Sequence, residues 1–293
     1  HQLPGLLHIR YAFVFRDTLW LGTSHLGLIE IDLTSNTITY YTPDANNPDS
    51  IPHADVRGIF TYDGKTYWLA SLGGGFMRLD YENQKFTQYS ASPEADIPFV
   101  TNDVWGVRGD SRGFIWVGTD SSGLWRIDSV TAKVDGYLHD PSVFEALGSN
   151  KARITYEDNE RNLWVGHFTG ELDYYNREQE TFVRYKKSNR FHKGLTHSSV
   201  LSILPADALN VWVGTEGGLN LLDARNGSQL SFTTENSGLL ADPVLALERD
   251  QQGHLWLGTW GGGLQRYHPE TQQWHNLLDH PDPNKRIPST YIW

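Results

Sequence analysis

The sequence of 293 residues contains no cysteine and one methionine, Met77. The absence of cysteine excludes disulfides, thiolate metal sites and a cysteine nucleophile. Basic residues are outnumbered, with 24 Lys and Arg against 35 Asp and Glu, and the net charge of −11 argues against nucleic acid as a partner. No run approaches the ~20 consecutive apolar residues of a transmembrane helix, so we expect no direct membrane insertion by this segment.

Tryptophan and glycine, by contrast, are plentiful, with 11 and 28 residues. Six tryptophans stand in one recurring motif of the kind Leu-Trp-Leu-Gly-Thr, at intervals of 48, 48, 48, 48 and 44 residues. They are Trp20, Trp68, Trp116, Trp164, Trp212 and Trp256. A period of this size indicates a repeat architecture rather than the two domains that length alone suggests. Because the chain begins at His1, we expect it to be an excerpt from a longer protein.

Each repeat is predicted to contain four short strands. Around Trp116 they span about 104–108, 114–119, 124–127 and 133–138, with β-branched and aromatic residues between Gly, Asp and Asn turns. The second strand is apolar on both faces, so its sheet must be covered on both sides. Four-stranded sheets that stack face to face around an axis, as in a β-propeller, meet this requirement.

The predicted fold is therefore all-β: a β-propeller of four-stranded antiparallel blades, with six complete blades and the first strand of a seventh. We expect a single propeller over residues 1–293, with blades at about 7–50, 51–96, 97–147, 148–194, 195–238 and 239–286. Residues 287–293 resemble residues 51–57 and place Ile292 in the column of Val56. This favours a seven-bladed parent; a six-bladed ring that residues 287–293 latch is the alternative.

The repeated residues are expected to be structural. The six motif tryptophans would act as large apolar wedges between blades. A glycine two residues after the tryptophan would permit close approach of the neighbouring sheet. This set consists of Gly22, Gly118, Gly166, Gly214 and Gly258, with Ala70 standing in the remaining repeat.

The motif Asp-x-x-Gly-x-Leu/Ile-Trp-Val/Leu-Gly-Thr, followed by Gly-Gly-Leu and Arg/Asn-x-Asp, resembles the two-component regulator propeller repeat. The resemblance covers about residues 7–286 and is best at Asp110–Arg126 and Asp250–Arg266. The copies with Ala70-Ser71 and with His167 depart from it. The resemblance implies the periplasmic sensor region of a membrane-bound histidine kinase, hybrid two-component system or diguanylate cyclase. It also implies that the partners are the remaining propeller and signalling domains of a parent receptor.

Function is expected where the repeats differ, at the loops between strands two and three and at the entrance to the central channel. Aromatic rings beside carboxylates and imidazoles suit the face and hydroxyls of a sugar, although a solvated polar rim is the alternative interpretation. The candidate ligand-binding residues are His25, Asp120, His167, Phe168, Glu216 and Trp260 in the loops, and Asn102, Asp103, Arg153 and Asp242 at the channel entrance.

Signatures of catalysis and metal binding are thin. His-Glu-x-x-His and Gly-x-Ser-x-Gly are absent, and His268 and His275 have no evident third ligand nearby. We therefore predict no catalytic residue, metal or cofactor, and an extracytoplasmic module that senses a small molecule or oligosaccharide. The alternatives are a propeller-fold polysaccharide hydrolase or lyase and a protein-interaction scaffold, and a homodimer is compatible with the sequence.

Overall fold

The computed structural model describes residues 8–93, 95–131, 133–170, 172–185, 194–278, 282, 286–287 and 289–292. Within these residues there are 25 β-strands and no helix. No described residue therefore belongs to a helix that could cross a membrane. The chain divides into two compact units, each of which is described by itself.

The first unit comprises His1–Leu138 and Asn150–Ala152 and holds blades 1 to 3. The strands of blade 1 are β1 (Ile9–Phe15), β2 (Thr18–Thr23), β3 (Leu28–Asp32) and β4 (Ile38–Tyr41). Those of blade 2 are β5 (Val56–Thr61), β6 (Thr66–Ser71), β7 (Gly75–Asp80), β8 (Lys85–Ser90) and β9 (Ile97–Pro98). Those of blade 3 are β10 (Val104–Gly109), β11 (Phe114–Thr119), β12 (Leu124–Asp128) and β13 (Val134–Tyr137).

The second unit comprises His139–Ser149 and Arg153–Trp293 and holds blades 4 to 6, apart from the first residue of β14. The strands of blade 4 are β14 (Ala152–Glu157), β15 (Leu163–His167), β16 (Leu172–Asn176) and β17 (Thr181–Tyr185). Those of blade 5 are β18 (Val200–Pro205), β19 (Asn210–Thr215), β20 (Gly218–Asp223) and β21 (Gln229–Phe232). Those of blade 6 are β22 (Val244–Arg249), β23 (Leu255–Thr259), β24 (Gly263–His268) and β25 (Gln273–Asn276).

In every blade the four principal strands pair with their chain neighbours in the order one, two, three, four. Neighbouring strands within the blades pair antiparallel, while blade 2 gains a fifth strand because β9 pairs in parallel with β8. The prediction of an all-β propeller of four-stranded antiparallel blades is confirmed.

The repeated tryptophans pack between successive blades. Trp20 of blade 1 lies in a buried cluster with Tyr67 of blade 2, their rings 4.6 Å apart. Equivalent clusters with the following blade form around Trp68, Trp164 and Trp212. Trp256 in blade 6 is only half-buried. Burial of these aromatic side chains is a main source of apolar contact between blades.

The glycine two residues after the tryptophan lies where the next blade comes close, as Gly22 and Gly214 show. A methyl group at Gly22 would lie 2.5 Å from the carbonyl oxygen of Val56, and one at Gly214 would lie 2.6 Å from that of Val244. Val56 and Val244 are the first residues of β5 and β22. The start of strand one in the following blade therefore crosses directly over the glycine.

The last described segment continues this arrangement. A methyl group at Gly258 would lie 2.8 Å from the Ile292 carbonyl oxygen, as one at Gly22 would approach Val56. The Ile292 N–H donates to the Thr259 carbonyl at 3.2 Å. Ile292 thus occupies on blade 6 the position that Val56 occupies on blade 1, as its sequence column predicts.

A threonine at the end of strand two shapes the loop that follows. Thr119 Oγ1 donates to the Gly123 carbonyl at 2.7 Å and accepts the Ser122 N–H at 2.9 Å, so one buried hydroxyl fixes both sides of the loop. The same Oγ1-to-glycine bond is made by Thr23, Thr215 and Thr259. A buried threonine hydroxyl therefore closes this loop in blades 1, 3, 5 and 6.

Candidate functional site

Strand one carries a β-bulge near its start in blades 1, 2, 3, 5 and 6. The pairing with strand two slips between the first and third residues of the strand, which leaves the second residue as the extra one. The bulged residues are Arg10, Arg57, Trp105, Leu201 and Leu245. A bulge re-aims a side chain and is often found beside functional sites. The bulge recurs in the architecture, while the residue placed on it varies.

In the first unit, two of these bulged residues meet. The Arg57 guanidinium lies over the Trp105 ring, 4.3 Å from the ring centroid, in a cation–π contact. Asp55 holds Arg57 by a bidentate pair, with Nε to Oδ1 at 2.8 Å and Nη2 to Oδ2 at 3.0 Å. Trp105 Nε1 donates to Asp120 Oδ1 at 2.8 Å. We call these four residues the blade 2–3 cluster.

The blade 2–3 cluster is partly open and well ordered by its own contacts. The side chains of Arg57 and Asp55 are 14% and 16% exposed. A planar guanidinium held bidentately keeps one orientation, which favours stacking on an aromatic face. The cluster therefore offers a flat cation–aromatic surface with carboxylates at both ends.

Two predicted residues adjoin this cluster. The Asp120 N–H donates to the Asp103 carbonyl at 3.0 Å, and Asp103 Oδ1 accepts the Gly73 N–H at 3.1 Å. Asn102 has a supporting position, because its Oδ1 accepts the Ala91 N–H at 2.7 Å. Asp103 and Asp120 thus come together, and Asn102 fixes the chain that leads to them.

The chemistry of this arrangement suits a polar ligand with a flat apolar face. An ionised carboxylate only accepts hydrogen bonds, so Asp103 and Asp120 match ligand hydroxyl or amine donors. The Trp105 ring presents a large amphipathic surface.

The second unit places other predicted residues on its own loops. The Arg153 guanidinium lies 3.8 Å from the Phe168 ring centroid. His197 Nδ1 lies 3.6 Å from Glu216 Oε2, and the two side chains are 36% and 42% exposed, respectively. Arg153 and Phe168 thus form a cation–aromatic contact within blade 4.

His167 is completely buried. Its Nε2 lies 2.9 Å from Asp173 Oδ2, and both side chains are 0% exposed. The same carboxylate accepts the Gly148 N–H at 2.5 Å. His167 and Gly148, which lies in the connection before blade 4, therefore bind the same Asp173 carboxylate. At the position of His167, the other blades carry a threonine or a serine.

The remaining predicted residues are spread over separate blades. His25 is exposed on blade 1, with its ring 5.8 Å from that of His8. Asp242 Oδ1 accepts the Thr234 N–H at 2.8 Å and so holds a turn. Trp260 is 49% exposed and makes an edge contact at 5.2 Å with Tyr291, which is 53% exposed.

Arg57, Trp105 and Asp55 were missed by sequence reasoning, although Arg153 in the same column was found. The sequence signal that could have identified Arg57 and Trp105 is their column, the second residue of strand one, which varies in a repeat that is otherwise regular. This column reads Arg10, Arg57, Trp105, Arg153, Leu201 and Leu245. Without the bulge, these side chains would be assigned to an ordinary strand face.

Shifted pKa values fall mainly on the turns of the scaffold. Backbone N–H groups of Ser35 and Thr34 lower the pKa of Asp32. For Asp250, burial acts to raise the pKa, but hydrogen bonds from Trp256 and His254 lower it well below its usual range. No group of three His, Asp or Glu side chains that could hold a metal is found in the described part of the chain.

The fold defines the class of protein, which is a β-propeller. Its repeats carry different residues on a bulge that recurs near the start of strand one. Residues 238–261 match the sequence model of the family described as two component regulator propeller. The match lies in blade 6 and confirms the predicted resemblance to this repeat. The description of the family as a regulator agrees with the prediction that this segment is not itself an enzyme.

Solved bacterial structures resemble this chain. An extracellular domain described as that of a one-component system from B. thetaiotaomicron has a TM-score of 0.76 at 19% identity, covering 99% of this chain and 36% of that chain. An extracellular domain described as that of a hybrid two-component system from the same organism has a TM-score of 0.51 at 18% identity. The match covers 96% of this chain and 47% of that chain. PorZ, a surface component of the type-IX secretion system of Porphyromonas gingivalis, has a TM-score of 0.65 at 19% identity, covering 88% and 38%.

This chain therefore spans between 36% and 47% of the length of those solved chains. At such identities the likeness shows the fold. No significant match was found among curated proteins.

Proposed function

We propose that this chain is a non-catalytic ligand-sensing module of a bacterial signal-transduction receptor, outside the cytoplasm and in the periplasm. Its ligand is a small molecule or oligosaccharide, and it acts on the remaining propeller and signalling domains of the parent receptor. The regulator repeat at residues 238–261 supports this role, and so does the likeness in fold to extracellular domains of described signalling systems.

The observation that carries the proposal is the blade 2–3 cluster. Arg57 and Trp105 stand on equivalent bulges of neighbouring blades, so the repeat brings them side by side on the variable loop face. Structural needs do not require an arginine or a tryptophan here, because the equivalent bulges of blades 5 and 6 carry leucine. Asp103 and Asp120 add acceptors for ligand hydroxyl groups.

Residues on the other loops are proposed to contribute in the same way on their own blades. The contacts of Arg153 with Phe168 and of Trp260 with Tyr291 provide further flat surfaces. The exposed His25 and Glu216 provide polar groups. Ligand binding would change how this module meets its parent domains or a second copy of the receptor.

A thermal-shift screen against a panel of neutral and acidic oligosaccharides, followed by calorimetry, tests the proposal. A ligand that binds only the folded state raises the melting temperature, by an amount that grows with the logarithm of the ratio of ligand concentration to dissociation constant. Asp120→Asn removes the charge but keeps the shape, and it should weaken binding of the best ligand about tenfold. Glu82→Gln is the matched control, since Glu82 is exposed on the turn between β7 and β8, and it should bind like the wild type. A panel without any stabilising compound, or equal weakening by both variants, would contradict the proposal.

A further inference from the structure

A second feature of the first unit is an apolar pocket between the outer strands of blades 2 and 3. This surface pocket has a volume of about 430 Å³, a size typical of sites for small organic molecules. Three aromatic rings line it, and three aliphatic residues stand at its rim with 40% to 43% exposure. The rings belong to Tyr89, Phe99 and Trp125, and the rim residues are Ile97, Val100 and Val134.

Its Trp125 wall is fixed by the fold. Trp125 Nε1 donates to the Ser122 carbonyl at 2.8 Å, so the indole is satisfied before any ligand arrives. Its ring covers Gly136 on the paired strand, where a methyl group would lie 2.7 Å from the ring atoms. Phe99 meets the same ring edge to face at 5.7 Å. A glycine opposite the tryptophan makes room for this ring, and the wall is preorganised.

The opposite wall depends on the extra strand of blade 2. Ile97 pairs with Tyr89 in parallel, and the Phe99 N–H donates to the Ser90 carbonyl at 2.7 Å. The Asp96 carboxylate accepts the Gln88 N–H at 2.7 Å and holds the start of this strand. These contacts hold the connection beside β8 and so fix the second wall of the pocket.

The pocket does not follow from the propeller repeat. The position of Trp125 in strand three is occupied by other residue types in the other blades, namely Ile29, Met77, Asp173, Asn220 and Gln265. Tyr89 is its one lining residue with an ionisable side chain, and burial raises the pKa of that phenol. The lining is therefore uncharged in a chain whose net charge is −11.

We propose that this pocket is a second ligand site, which takes a small uncharged molecule built on one or two aromatic or alicyclic rings. Three aromatic walls favour a flat ring, and burial of the apolar rim against the ligand stabilises the complex through the hydrophobic effect. A charged ligand would lose its hydration without gaining a partner among the lining residues. The site goes beyond the sensing function proposed above and does not depend on it.

Fluorine NMR with 6-fluoroindole on the full chain tests the site. We expect saturable line broadening with a dissociation constant on the order of 1 mM, ordinary for so small a molecule. The anionic 6-fluoroindole-2-carboxylate should bind at least about tenfold more weakly. Val134→Lys places a charge at the rim and should weaken 6-fluoroindole binding by about tenfold or more.

Val130→Lys is the matched control, because Val130 lies in the turn before the same strand, is 91% exposed and does not line the pocket. It should leave the titration unchanged. The absence of saturable binding, equal affinity for the anionic analogue, or equal weakening by both lysine variants would overturn the proposal. An oligomer in the wild type that Val134→Lys dissociates would also overturn it, in favour of a second copy of the chain as the occupant.

Discussion

At the scale of single residues, Gly214 shows how little room the propeller leaves between blades. Its Cα faces the start of β22, and a methyl group there would lie 2.6 Å from the Val244 carbonyl oxygen and also against Ser202 Oγ. The Ser202 hydroxyl belongs to a side chain that a substitution by alanine removes, whereas the Val244 carbonyl belongs to the backbone of the next blade. The carbonyl therefore limits the size of the residue at position 214.

Gly214→Ala is expected to lower the free energy of unfolding by about 1–3 kcal/mol, the usual range for overpacking. Urea denaturation of the single variant and of Ser202→Ala/Gly214→Ala measures the effect, with Ser202→Ala as the control. The double variant should not regain the loss, because the clash with the Val244 carbonyl remains. Full recovery in the double variant would show that the side chain alone sets the limit.

Asp250 predicts a specific dependence of stability on pH. Its carboxylate accepts hydrogen bonds from Trp256 Nε1 at 2.9 Å and from the His254 backbone at 2.9 Å. The folded-state pKa lies below the ordinary value of 3.8, although burial acts to raise it. A carboxyl group whose pKa is lowered by folding stabilises the folded protein fully when the pH is above the unfolded-state pKa. This stabilisation is lost as the pH falls toward and through the folded-state pKa.

Asp250→Asn should therefore destabilise the protein more at about pH 7 than at about pH 2.5. Urea denaturation of both proteins at the two pH values checks the sign. Asp140→Asn is the comparison variant. Asp140 is exposed in a turn without a tryptophan partner, and the Ser142 hydroxyl is the main cause that lowers its pKa. A difference for Asp250→Asn that is constant with pH would contradict the account.

At the scale of elements, the segment after blade 6 supplies a hydrogen bond of the kind that the loops of blades 1 to 4 receive from the chain that follows each blade. The Thr290 carbonyl accepts the N–H groups of Gly261 at 2.7 Å and Gly263 at 3.0 Å. In blade 1 the Gly27 N–H donates to the Ala54 carbonyl at 2.8 Å. The loops after strand two therefore depend on the chain that follows.

Ending the chain at Arg286 should accelerate amide hydrogen exchange at Gly261 and Gly263, because their acceptor is lost. The Gly27 amide, whose acceptor lies in blade 2, should exchange at the wild-type rate and is the internal control. Exchange monitored by NMR on the two chains decides the matter. Unchanged protection at both blade 6 glycines would show that the segment contributes nothing to the loop.

Most strands were predictable because each repeat combines an apolar run with turn residues at fixed offsets. The second strand of blade 3 was expected at 114–119 and is found at Phe114–Thr119. The fifth strand of blade 2, Ile97–Pro98, was not expected, since two residues with a proline give no strand signal. Its pairing depends on tertiary contacts through Ser90 and Asp96.

The candidate site was predictable in its location but not in its composition. Loop residues such as Asp120 were found because the repeats differ there. Arg57 and Trp105 were missed because a bulge redirects them, and no local pattern of polar and apolar residues shows a bulge. His167 was predicted as a ligand-binding residue of the loops, but its side chain is fully buried against Asp173.

At the scale of the whole molecule, the central claim is that regular blades position irregular residues for ligand binding on the loop face. The repeat supplies the buried tryptophans, the close glycines and the threonine-closed loops. In blades 1, 2, 3, 5 and 6 the bulge supplies one variable side chain. Residues that do not repeat, above all those of the blade 2–3 cluster, are free to be selected for a ligand.

The most direct test is a crystal structure of the chain with the tightest-binding compound of the oligosaccharide panel. We predict a ligand that contacts the Trp105 ring and lies within hydrogen-bond distance of the Asp120 carboxylate. The Trp105→Ala variant, measured by calorimetry, should then bind at least about tenfold more weakly. A ligand bound elsewhere, with undiminished affinity in Trp105→Ala, would contradict the central claim.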